Sequence, residues 1–152
     1  MHRYRLGWLL VVSALMPSAV PSIGSAAEDE QGFVRVKPDE IVWEDRETGP
    51  DFAVIAGDPQ KEGFYIIRAR FAPGVMSQPH YHPNDRHVTV ISGTWYTGTG
   101  AAFDKGQTIG LPPGSYMKHP GGAVHFDGAK DEEVIVEIKG IGPAPSIPAG
   151  QR

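Results

Sequence analysis

A chain of 152 residues has room for one domain, and an apolar share of 40% is ordinary for a globular protein and too high for a disordered one. There is no cysteine, so disulfides, thiolate metal sites and cysteine nucleophiles are excluded. The net charge of -4 argues against a nucleic-acid partner, which calls for a basic face.

Residues 1–27 have the composition of an export signal. Arg3 and Arg5 form a basic start, residues 6–20 an apolar stretch broken by Pro17, and Ser25, Ala26 and Ala27 place small residues at a cleavage site. The apolar run is shorter than the ~20 residues of a membrane span. The expectation is a cleaved signal peptide, a periplasmic or secreted mature chain, and no stable membrane insertion after processing. All the acidic residues follow the cut, so the mature chain is more acidic than the whole.

The rest reads as strand after strand, with 19 glycines and 14 prolines favouring short strands and tight turns over long helices. Residues 33–36, 40–43 and 52–55 are short β-rich runs separated by Pro, Asp and Gly. A longer one spans 64–71, where Tyr65, Ile67, Ala69 and Phe71 alternate with Ile66, Arg68 and Arg70, a period of two with one wet face. Pro73-Gly74 turns the chain, and strands follow at 87–91, 94–97, 108–111, 115–119 and 133–138. No stretch shows an apolar period of 3.6 residues. The predicted fold is all-β, a single barrel or sandwich. It occupies residues 28–142, with an irregular Pro- and Gly-rich tail over 143–152.

Five of the six histidines fall between His80 and His125. Neutral imidazole is the commonest protein ligand of divalent transition metals and needs few convergent copies. His80 and His82 are two apart, so on an extended strand both rings project from one face and can chelate one ion. Parity along the next strand sets Arg86, Val88, Val90 and Ser92 on one face, and His87, Thr89 and Ile91 on the other. The valine face is the interior, which aims Arg86 inward or at the mouth and His87 outward. His119, with Ser115 and Met117, shares the face opposite Tyr116 and Lys118. It is read as a fourth ligand, a partner to a ligand, an acid–base group or a buried structural histidine.

The spacing of these residues resembles the two motifs of the cupin superfamily. In the first, G-x5-H-x-H-x3-E-x6-G, Gly74, His80, His82 and Gly93 match, and Arg86 stands in place of the glutamate. In the second, G-x5-P-x-G-x2-H-x3-N, Gly114, Pro120, Gly122 and His125 match, and Ala129 stands in place of the asparagine. The resemblance implies a jelly-roll β-barrel of the small single-domain type. It further implies that His80, His82 and His125 hold one divalent transition metal, whether Fe, Mn, Zn, Ni, Co or Cu. Some cupin dioxygenases use three histidines without the glutamate. A guanidinium cannot ligate a metal. Arg86 is therefore expected to bind substrate, as an anchor for a carboxylate, while Asp85 or Asp127 could still supply the missing ligand. Two functions remain open. One is a metal-dependent oxygenase, lyase or isomerase acting on a small anionic molecule; the other is a ligand-binding or sensory module without turnover. Cupins often dimerise through barrel edges, so a homodimer is the expected assembly.

The exported protein is expected to begin near Glu28. Intact mass of the periplasmic or secreted form should show loss of about 27 N-terminal residues. Recovery of the full-length chain from washed membranes would rule out the cleaved signal.

Overall fold

The computed structural model describes residues 28–150. The segment read as an export signal, residues 1–27, lies outside the described residues. Ten strands form two antiparallel sheets: β1 (Asp51–Ala56), β2 (Gly63–Phe71), β3 (His80–Tyr81), β4 (Arg86–Ser92), β5 (Trp95–Thr99), β6 (Ile109–Leu111), β7 (Tyr116–His119), β8 (His125–Gly128), β9 (Val134–Gly142) and β10 (Ile147–Pro148). One sheet has the order β1-β2-β9-β4-β7 and the other β10-β3-β8-β5-β6. The sheets face each other as a jelly roll that is not closed into a strict barrel. Among the described residues no helix is long and apolar enough to cross a membrane.

The two-residue period decides which side chains enter the space between the sheets. Tyr65, Ile67, Ala69 and Phe71 of β2 are buried, as are Val134, Val136 and Ile138 of β9 and Val88 and Val90 of β4. Trp95 of β5 closes the same core from the opposite sheet. Burying such a row removes hundreds of Å² of apolar surface from water, at ~25 cal/mol per Å². The outer face carries cross-strand ion pairs instead: Arg68 meets Glu137 at 3.1 Å and Arg70 meets Asp51 at 2.8 Å. β4 lies between β9 and β7, in a register that sets Arg86 opposite Gly140 on one side and His119 on the other. Gly140 leaves room for the Tyr65 hydroxyl, since a Cβ there would lie 2.7 Å from that oxygen.

The N-terminal segment and the tail depart from the sequence expectation. Residues 33–36 and 40–43 are not strands. Val34 makes an isolated bridge to Glu28, and Pro38–Glu40 is a 3-10 turn. Pro38 fixes its own φ and lacks the N–H that a ladder requires. Asp29 Oδ1 accepts the amide hydrogens of Gln31 and Phe33, which holds that stretch in a turn. In the tail, β9 continues to Gly142 and Ile147–Pro148 pairs with Tyr81 and His80 as β10. β8 lacked a legible period, because His125-Phe126-Asp127-Gly128 has one large apolar residue; all four are buried between β3 and β5.

Two of the turn glycines differ sharply in their surroundings. Gly93 has φ +69°, and a Cβ there would meet the Glu133 carbonyl oxygen at 2.2 Å; Gly114 has φ +85° with nothing within 4 Å. Gly114→Ala should cost about 1 kcal/mol, the left-handed penalty alone. Gly93→Ala adds a backbone clash and should cost roughly 2–4 kcal/mol. Denaturant midpoints test the order, and equal losses would contradict this reading of the turn.

Candidate metal centre

A cavity of about 1090 Å³ opens between the sheets, with His80, His82, Arg86, His119, His125 and Asp127 in its wall. Apolar side chains of β2 and β9, among them Ile67, Val136 and Ile138, line it as well. The structure brings His80, His82 and His125 together. His80 and His125 are direct cross-strand partners between β3 and β8. Their ring centroids are 4.5 Å apart, His80 and His82 lie 4.9 Å apart, and His82 and His125 lie 5.5 Å apart.

Each of these rings is held from behind by the backbone. His80 Nδ1 is 2.7 Å from the Gln78 carbonyl, His82 Nδ1 is 2.9 Å from that of Pro145, and His125 Nδ1 is 3.0 Å from that of Ala123. A carbonyl only accepts, so Nδ1 carries the proton in all three and Nε2 keeps its lone pair. This is the tautomer and anchoring that metal-ligating histidines use. His125 Nε2 is buried without a hydrogen-bond partner. The ligand atoms of His80, His82 and His125 all lie within 4.8 Å of one another, and the set could hold a metal ion. Three aimed nitrogens and an orphaned buried lone pair fit a borderline divalent ion.

Arg86 points inward, as strand parity predicts, and His87 points out. Arg86 is buried, whereas His87 Nδ1 is hydrogen-bonded to the hydroxyl of the exposed Tyr116 at 2.8 Å. Arg86 Nη1 donates to His82 Nε2, and its Nε is buried without a partner. Burial lowers the guanidinium's pKa, opposed by Tyr65 and Asp127. Asp85 is turned away: one oxygen accepts from the Gly121 amide and the other pairs with Lys118 at 2.7 Å.

His119 is buried, with its ring stacked 3.7 Å from that of His125 and its Nε2 unpartnered. Asp127, two residues beyond His125 on the same face, is also buried. Its Oδ2 lies 3.8 Å from His125 Nε2, and with His119 these residues form a second group of ligand atoms within 4.8 Å of one another. The sequence signal for Asp127 is the same parity that pairs His80 with His82. Nothing in the sequence marks the Pro145 carbonyl, which the tail brings to His82.

Burial, followed by the nearby charge of Arg86, lowers the His82 pKa to about 2. Burial and then His125 lower that of His119 to about 2, and burial lowers that of His125 to about 4 against the pull of the Ala123 carbonyl. The three imidazoles are therefore neutral at pH 7, as metal binding requires. Burial raises the pKa of Asp127, while His80 and Arg86 pull it down.

The comparisons agree on the fold. Residues 31–142 match the family model described as the ChrR cupin-like domain. Germin-like protein subfamily 3 member 2 of Arabidopsis thaliana is 34% identical over 65 residues, which cover 42% of this chain and 29% of that protein. This chain thus matches less than a third of that relative's length. The polyketide cyclase RemF from Streptomyces resistomycificus superposes with a TM-score of 0.64 at 18% identity, over 77% of this chain and 85% of that one. The DMSP lyase DddQ from Ruegeria pomeroyi DSS-3 does so with a TM-score of 0.58 at 14% identity, over 72% of this chain and 61% of that one.

Without metal, the neutral imidazoles make stability depend on pH. Their folded pKa values lie below the ordinary 6.5, so as pH falls the unfolded chain takes up their protons first. The stability they contribute is complete above pH 6.5 and is lost as pH falls from there, down to about 4 for His125 and about 2 for His82 and His119. Asp127, with its raised pKa, acts in the opposite sense, one group against three. The Tm of chelator-treated protein should fall steadily from about pH 7 to about pH 4.5; a flat Tm over that range would mean that the rings are solvated.

Proposed function

Because this chain belongs to the ChrR cupin-like domain family, we propose that its cavity is a metal centre acting on a small anionic molecule, with a carboxylate as the recognised group. His80, His82 and His125 supply nitrogens to one divalent transition metal, and His119 stands next to them with its Nε2 unpartnered. The observation that carries this reading is the buried guanidinium of Arg86 in the wall of the same cavity.

A buried cation beside a seat for a dication is unfavourable unless negative charge joins them. Arg86 Nε is already without a partner, and the planar fork matches the two oxygens of a carboxylate. A bound metal supplies Lewis-acid polarisation of a substrate oxygen at its open positions. The chain's own residues do the rest. Arg86 fixes the orientation of the anion, and Ile67, Val136 and Ile138 keep that side of the cavity apolar. His119 Nε2 has a free lone pair, and Asp127 is a second proton carrier in the same wall. Groups that can move a proton beside an anchored carboxylate favour a lyase or isomerase over an oxygenase. The polyketide cyclase and the DMSP lyase among the structural neighbours carry names consistent with small-molecule chemistry on this fold.

The second reading, a ligand-binding or sensory module, draws on the Arg86–His82 contact. A guanidinium drawn off His82 by an anion would change the cavity without any chemistry. In both readings the mature chain works in the periplasm or outside the cell.

Titration of the metal-loaded protein with a panel of small carboxylates tests the role of Arg86. Arg86→Lys should weaken the best-bound carboxylate roughly tenfold or more, since a point charge replaces a fork. Arg86→Glu should abolish carboxylate binding while tightening the metal. Equal affinities in all three proteins would remove the anionic ligand from the proposal. Oxygen uptake with a bound carboxylate would identify an oxygenase instead. Carboxylate binding without conversion would leave the binding module.

A further inference from the structure

His82 has one lone pair and two claimants. Its Nδ1 is committed to the Pro145 carbonyl, and its Nε2 accepts from Arg86 Nη1. A single nitrogen lone pair cannot serve a guanidinium and a metal together. While Arg86 is seated on His82, the outer triad therefore has only His80 and His125 to offer an ion.

Deeper in the cavity stands a set that Arg86 leaves free. His119 Nε2 and His125 Nε2 are both buried without any hydrogen-bond partner. Asp127 is the only buried acidic residue among the described residues, and its Oδ2 sits 3.8 Å from His125 Nε2. The three ligand atoms lie within 4.8 Å of one another. Two orphaned imidazole nitrogens facing a buried carboxylate are expensive in a low-dielectric wall unless a cation joins them.

We propose that His119, His125 and Asp127 form a second metal seat, filled in alternation with the outer seat of His80, His82 and His125. Alternation follows from His125. Its Nδ1 is held by the Ala123 carbonyl, so its Nε2 is the only nitrogen it can give, and both seats need it. The deep set, two imidazoles and one carboxylate, suits borderline divalent ions such as Fe(II), Mn(II), Co(II) or Zn(II). An ion enters the deep seat while Arg86 holds His82. It gains the outer seat when an anion draws Arg86 away, which frees His119 and Asp127 for proton transfer. This rests on the reading of the cavity as a metal centre and departs from it in which residues receive the ion first.

The test is Co(II) titration of the chelator-stripped protein in carboxylate-free buffer, read by visible absorption and by competition with a chromophoric chelator. The wild type, the double variant His80→Gln/His82→Gln, His119→Gln and Asp127→Asn are compared. The wild type should take up one equivalent. The double variant should keep the wild-type absorption bands and lose less than about tenfold in affinity. Each deep variant should weaken Co(II) on the order of 100-fold or more, at or beyond the top of the range for loss of an outer hydrogen-bond partner, and should shift the bands, as a changed ligand set does. Near-UV circular dichroism confirms folding of each variant, and if one deep variant fails to fold the other carries the comparison. Loss of Co(II) from the double variant with both deep variants unchanged would overturn the second seat. Equal losses in both sets would mean one composite seat and would overturn alternation. If the wild type binds no Co(II), the metal-centre reading falls and this proposal with it.

Discussion

The Arg86 guanidinium is buried beside histidines whose rings are clamped by backbone carbonyls, and much of the site's character follows from that contact. A permanent cation in a low-dielectric wall must be balanced or must have acceptors. Arg86 has one acceptor in His82 and one buried carboxylate, Asp127, on the facing sheet. Its backbone is fixed, because β4 is held on both sides, by β9 and by β7, so only the side chain can swing. The register that fixes Arg86 also sets His119 directly across from it. Where the family motif has a ligating carboxylate, this chain has a cation, and an extra imidazole stands on the neighbouring strand.

The two sheets divide the work. The β1-β2-β9-β4-β7 sheet supplies the apolar wall, with rows of Val, Ile and aromatic side chains on one face and ion pairs on the other. The β10-β3-β8-β5-β6 sheet is shorter and contributes His80, His125 and Asp127, while His82 follows directly after β3. Its short strands leave their histidines near turns, where Gln78, Ala123 and Pro145 present free carbonyls. Regular ladder positions would have those carbonyls engaged in strand pairing. Irregularity beside the site is what lets each Nδ1 be held and each Nε2 be aimed.

Much of this is legible in the amino-acid sequence. Parity alone placed Arg86 inside and His87 outside, because a strand buried on one face cannot slip by one residue without exposing its valines. The same rule put His119 on the face opposite Lys118, where it is buried. The motif glycines and histidines fixed which turns and strands approach one another. What escaped was whatever depends on distant backbone. β8 has no readable period because both of its faces are covered, His125 and Asp127 by the cavity wall and Phe126 by Phe103. The strand-like runs at 33–36 and 40–43 have β-forming residues but no neighbouring strand to receive them, and the 3-10 turn begun by Pro38 separates them. The Pro145 carbonyl reaches His82 only because β10 pins the tail to β3.

Charge accounting ties the cavity to a class of ligand. His82, His119 and His125 are neutral at pH 7, so the buried charge-bearing groups of the wall are Arg86 and Asp127, whose pKa burial raises. A divalent ion raises that balance by two, in a space where two like charges a few Å apart repel by several kcal/mol. In the deep seat, Asp127 is spent on the ion and Arg86 is left with His82 and the neighbouring Tyr65 hydroxyl. In the outer seat, Arg86 loses His82 and has Asp127 as the remaining buried charge near it. Either position of the ion therefore leaves the guanidinium short of an acceptor. An anion with two oxygens relieves both deficits at once, which is why this cavity should select a carboxylate over a neutral molecule of equal size.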